Sequence, residues 1–124
     1  MLDVLIVDDN ADIRRLLKVC LQDNYEVAEA ADGHTALQMM RELHPKIVML
    51  DVMMPGELNG FQVVSAIRED ADLCETTVVF ITALSEESYL KNSKKHGADA
   101  YLIKPFSTWE VKDWVRSQLA PRDQ

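Results

Sequence analysis

Five short apolar runs, Val4-Leu5-Ile6-Val7, Tyr25 to Ala30, Ile47-Val48-Met49-Leu50, Val78-Val79-Phe80-Ile81 and Tyr101-Leu102-Ile103, alternate along the chain with five segments of helical character. The first, third and fourth runs are apolar at every position, as strands covered by helices on both faces must be. The second alternates, with Glu26 and Glu29 breaking the apolar pattern, which places it at a sheet edge with one wet face. The first helical segment puts Ile13, Leu16, Leu17, Cys20 and Leu21 on one core-facing stripe, behind Asp9 and Asn10 as candidate N-caps. A second helix follows Asp32-Gly33, carries Ala36, Leu37, Met40 and Leu43 on one side, and stops at His44-Pro45, because a residue before proline is pushed out of the helical region. A third starts near Gly60 and buries Phe61, Val64 and Ile67. The fourth, residues 85–97, is mostly polar, with Tyr89 and Leu90 as its only anchors, and is expected to be the most loosely held. The fifth runs from about Thr108 to Leu119, with Trp109, Val111, Trp114, Val115 and Leu119 on a broad apolar face. Five strand-helix units predict an α/β fold, a doubly wound three-layer (βα)5 sandwich on a parallel sheet, with its ligand crevice at the carboxyl ends of the strands.

A chain of 124 residues holds one domain, expected over residues 1–120 with residues 121–124 as a frayed end or truncated linker. Twenty-one acidic against thirteen basic residues give a net charge of -8, whose field repels nucleic-acid backbones and anionic membranes. The apolar runs are too short to cross a bilayer, and MLDVLIVDDN lacks the basic start and long apolar core of a signal peptide, so a cytoplasmic location is expected. Cys20 and Cys74 form no CxxC pair and read as reduced thiols.

The positions just after each strand carry the candidate chemistry. Asp8 and Asp9 follow the first strand, Asp51 ends the third, Thr82 follows the fourth, and Lys104-Pro105 follows the fifth. Helix capping accounts for one acid in VDDN, not two. Three clustered carboxylates raise one another's pKa unless a cation shares the site, and an all-oxygen donor set fits magnesium, which keeps waters and bridges to phosphoryl oxygens. Lys104 and Thr82 are placed to take other oxygens of the same phosphoryl group.

VDDN at 7–10, DVMMP at 51–55, Thr82-Ala83 and Lys104-Pro105-Phe106 together resemble the receiver domains of two-component response regulators, over essentially the whole chain. The resemblance implies a flavodoxin-like, CheY-like sheet in order 2-1-3-4-5. It implies Asp51 as phosphoacceptor, and magnesium held by Asp8, Asp9, Asp51 and the Met53 carbonyl. Phosphoryl oxygens would be bound by Thr82 and Lys104, and the Lys104-Pro105 peptide would be cis. Thr82 and Tyr101 match the family's switch positions, coupling phosphorylation to the surface around the fourth helix, fifth strand and fifth helix. Ile13, Leu16, Pro105 and Phe106 match the surface offered to a phosphodonor. The partners implied are a sensor histidine kinase or histidine phosphotransfer protein, and a downstream effector or attached output domain. The domain would act on no substrate but its own Asp51, and would not bind nucleic acid or membrane directly.

The chain departs from the family pattern in three places. The stretch Pro55 to Gly60 is one residue longer, an insertion around Gly56-Glu57 expected to bulge locally. Met53 and Leu84 are apolar where the family tunes hydrolysis of the aspartyl phosphate, so a phosphorylated state that is not short-lived is expected. Trp114 stands where receivers of winged-helix regulators carry a basic residue for dimer salt bridges, so a monomer or weak dimer is expected. The competing readings are a phosphorylation-independent pseudo-receiver that works as a protein-binding module, and an enzyme or flavin carrier on a similar fold. The acidic DDNAD segment disfavours a flavin phosphate loop, and Met53 disfavours an aspartyl phosphatase.

Overall fold

The apolar runs become the strands of one sheet because each presents alternate residues to two separate cores. In the computed structural model, which describes residues 2–54, 56, 58–83 and 97–119, the strands are β1 (Val4–Val7), β2 (Val27–Ala30), β3 (Ile47–Asp51), β4 (Thr77–Ala83) and β5 (Ala100–Lys104). They pair in parallel in the order β2-β1-β3-β4-β5. On one face Leu5, Val7, Val48, Leu50, Val78 and Phe80 pack with α2 (Gly33–Leu43) and α3 (Gly60–Glu69). On the other, Val4, Ile6, Ile47, Met49, Val79 and Ile81 pack with α1 (Ala11–Leu21) and the C-terminal helix, α4 (Thr108–Gln118). The three-layer architecture and strand order are those expected. No described helix is long and apolar enough to cross a membrane.

Local chemistry fixes the helix starts. The Asn10 side chain accepts from the N–H groups of Asp12 and Ile13, so Asn10 is the cap of α1 and neither Asp8 nor Asp9 is spent on that task. Asp32 caps α2, and Asn59 with Gln62 and Ser107 with Glu110 form capping boxes on α3 and α4.

Several expectations are corrected. Leu16 is 46% exposed, because on α1 the sheet-facing positions are Leu17 and Leu21, and Leu16 turns toward the loop after β5. Leu43 is also exposed, at the last turn of α2. Strand β2 begins at Val27, not Tyr25: the Tyr25 N–H still bonds the Leu21 carbonyl of α1, and its hydroxyl donates to the Leu119 carbonyl beyond α4. Trp109 is exposed and lies off the broad apolar face expected of the C-terminal helix, whereas Trp114 packs against the core. The polar helix expected at residues 85–97 lies outside the described residues except for Gly97, and so do Leu84 and residues 121–124. Of the inserted stretch Gly56 is described, with φ 104°, a left-handed conformation that glycine adopts without strain.

Gly60 ties α3 to the site. A Cβ there would lie 2.6 Å from the Asp51 carbonyl oxygen and 2.7 Å from Val52 Cα, both backbone atoms of the strand end. Its N–H bonds the Val52 carbonyl at 3.0 Å. Gly60→Ala is therefore expected to cost about 1–3 kcal/mol, as overpacking against an unyielding backbone does, read as a lower urea midpoint at unchanged slope.

Candidate acidic phosphoryl site

Strand register brings the predicted residues to one edge. Val7 is opposite Leu50, so Asp8 and Asp51 each stand one step further, at the carboxyl ends of β1 and β3. This is the topological switch point, where the chain leaves the sheet in opposite directions and a crevice opens. Carboxylate oxygens of Asp8, Asp9 and Asp51 lie within 4.8 Å of one another, with Asp8 and Asp51 buried and Asp9 exposed. Lys104, last residue of β5, reaches back over β4: its Nζ is 3.3 Å from Asp8 Oδ2 and 3.7 Å from Asp51 Oδ1.

Each carboxylate is held differently. Asp8 Oδ1 accepts from the Asn10 N–H at 2.9 Å, and its main-chain carbonyl accepts from Arg14 Nη1 at 2.7 Å. Asp51 Oδ1 accepts from the Met53 N–H at 3.2 Å. Both contacts to Asp51 fall on Oδ1, so among the described residues none engages Oδ2. Burial first, and then the nearby Asp8 charge, push the Asp51 carboxyl up from 3.8 to about 6, against the opposing pull of Lys104 and the Met53 N–H. One ammonium facing three carboxylates leaves two negative charges uncompensated. An all-oxygen, charge-deficient centre of this kind fits a hard divalent cation such as magnesium, which Asp8, Asp9 and Asp51 would hold.

The remaining predicted residues fall in place unevenly. Thr82 pairs with Ile103 next to the end of β4, but its side chain lies outside the described residues. Tyr101 on β5 is 43% exposed. The Lys104-Pro105 peptide is cis. Ile13, Leu16, Lys104, Pro105 and Phe106 line one cavity of about 300 Å³, so the apolar surface expected to meet a partner shares Lys104 with the carboxylate centre. The Met53 side chain is 54% exposed beside Asp51. Sequence reading missed Arg14. The signal was a basic residue one turn beyond VDDN, with Glu29 across from it on the edge strand.

Comparison with known proteins gives a consistent picture. A family model described as "Response regulator receiver domain" matches residues 4–116. "Probable transcriptional regulator ycf27" of Porphyridium aerugineum is 39% identical over 122 residues, covering 98% of this chain and 49% of that protein. "Transcriptional regulatory protein SrrA" of Staphylococcus aureus is 39% identical over 118 residues, 94% of this chain and 47% of that protein. The chain thus spans about half the length of these curated relatives. Among solved structures, the Vibrio cholerae chemotaxis protein CheY4 superposes with a TM-score of 0.87 at 32% identity, over 96% of this chain and 99% of that one. The receiver domain of NtrX from Brucella abortus superposes with a TM-score of 0.84 at 28% identity, over 94% and 100%.

Proposed function

The chain belongs to the response regulator receiver domain family, and from that premise we propose that it is a phosphoryl-accepting switch in which Asp51 takes a phosphoryl group from a phosphohistidine. The observation that carries this reading is the arrangement of Asp51: a buried carboxylate with Oδ1 held and Oδ2 unengaged among the described residues, facing Lys104 and two further acids. Asp51 Oδ2 attacks phosphorus, the P–O bond forms as the P–N bond breaks, and the electron pair leaves on the imidazole nitrogen of the donor. Lys104 balances charge on the phosphoryl oxygens, and Thr82 donates its hydroxyl to them. When bound at Asp8, Asp9, Asp51 and the Met53 carbonyl, magnesium supplies the positive charge that relieves carboxylate repulsion and neutralises the transferring group. The phosphoryl charge then draws Thr82 inward, and Tyr101, exposed on β5, turns toward the space so opened.

The donor is a sensor histidine kinase or histidine phosphotransfer protein, seated on the cavity of Ile13, Leu16, Pro105 and Phe106. The recipient of the signal is a downstream effector or an attached output domain. The domain catalyses only its own phosphorylation and dephosphorylation, acts in the cytoplasm as a monomer or weak dimer, and itself touches neither nucleic acid nor membrane. The exposed Met53 thioether offers no base to orient water, so the aspartyl phosphate persists. Intact mass after incubation with acetyl phosphate tests the reading: wild type with magnesium gains one phosphoryl group, and Asp51→Asn gains none. Absence of any gain in wild type, with a phosphohistidine donor as well, would leave a phosphorylation-independent binding module.

A further inference from the structure

We propose that Arg14 is a positioning residue for the acidic centre, holding the Asp8 main chain so that the Asp8 carboxylate aims at Lys104 and at a bound divalent cation. The inference rests on the receiver reading above and assigns a task to a residue outside the acidic cluster and its lysine.

Asp8 is fixed at three points. Oδ1 accepts from the Asn10 N–H at 2.9 Å, Oδ2 faces Lys104 Nζ at 3.3 Å, and the main-chain carbonyl accepts from Arg14 Nη1 at 2.7 Å. The first two bonds hold the carboxylate, and the third holds the peptide from which it springs. Arg14 is itself oriented, because its Nε donates to Glu29 Oε1 at 3.2 Å. Glu29 lies opposite Ile6 in the β1–β2 register, on the α1 side of the edge strand, and its other oxygen is 3.7 Å from Lys18 Nζ, one turn along α1. The planar guanidinium, with its donors in a rigid fork, bonds a carboxylate through one nitrogen and a carbonyl through another; a lysine ammonium has no such fork. The edge-strand glutamate that interrupts the apolar pattern thereby sets the strand end where the metal ligands begin.

Arg14, Arg15, Lys18 and Glu29 line an open groove of about 340 Å³, so shortening Arg14 enlarges a surface groove and leaves the apolar core untouched. Side chains that orient metal ligands typically change metal affinity by 10–100-fold when removed. The test is calorimetric titration of magnesium chloride into unphosphorylated wild type, Arg14→Ala and Glu29→Gln, with urea unfolding of each. Arg14→Ala is expected to weaken magnesium about tenfold, and Glu29→Gln about threefold. A purely structural Arg14 would lower the urea midpoint and leave affinity within about twofold of wild type, which would overturn the inference. Should Arg14→Ala fail to fold, unchanged affinity in Glu29→Gln does the same. Wild type that neither binds magnesium nor accepts a phosphoryl group overturns the receiver reading itself, an outcome distinct from variants that match a functional wild type.

Discussion

Asp51→Asn is expected to make the metal-free protein more stable by about 3 kcal/mol at pH 7.5, although it removes the proposed phosphoacceptor. The cause is the cost of keeping an ionised carboxylate buried beside Asp8, which lifts its pKa from 3.8 to about 6. Between those two values the native state binds the proton more tightly than the unfolded chain, so wild-type stability falls as pH rises through this window. The gain from asparagine is therefore absent near pH 3.8, grows up to about pH 6 and is complete above it. Urea unfolding of both proteins across this range, without divalent cations, reads the effect. Saturating magnesium stabilises wild type by mass action and narrows the gap. An Asp51→Asn protein no more stable than wild type at pH 7.5 would show that Lys104 and the Met53 N–H already compensate the buried charge.

Lys104→Ala separates two consequences that a simple loss of the site would join. Lys104 stands 3.3 Å from Asp8 Oδ2 and 3.7 Å from Asp51 Oδ1, and among the described residues is the one cation in contact with the carboxylate oxygens of the centre. Its removal raises the Asp51 pKa further, since its pull is the largest lowering influence there. Phosphorylation by acetyl phosphate at saturating magnesium is expected to slow about 100-fold, in the range for loss of one charge-stabilising donor. Magnesium affinity is expected to rise, because the ammonium no longer competes for the same carboxylates. Stopped-flow rates and calorimetry on the same preparation check both directions. A variant that phosphorylates at the wild-type rate would remove Lys104 from the chemistry.

Much of this was legible in the sequence, and for identifiable reasons. Apolar runs such as VLIV and VVFI, too short for helices and rich in β-branched residues, suit strands covered on both faces, and the two cores divide those residues as the pleat requires. Residues at strand ends can be found by counting, so the convergence of Asp8, Asp9, Asp51 and Lys104 on one edge of the sheet is legible in the sequence. Helix stripes are less legible, because a 3.6-residue period defines an arc without defining its edges. Leu16 and Leu43 lie at those edges and are exposed. Tyr25 reads as strand by type, yet a turn bond to Leu21 holds it outside β2. The roles of Arg14 and Gly60 are less legible because each rests on a contact with a main-chain carbonyl, that of Asp8 for one and that of Asp51 for the other.

The central claim is that phosphoryl transfer ends on the Asp51 carboxylate. Reduction with borohydride tests it most directly, because an acyl phosphate is reduced to an alcohol while free carboxylates are not, turning a phosphorylated aspartate into homoserine. After treatment with acetyl phosphate and magnesium, followed by reduction and peptide sequencing by mass spectrometry, homoserine is expected at position 51 and at no other aspartate. Aspartate remaining at 51, with homoserine at Asp8 or Asp9 or nowhere, would contradict the account.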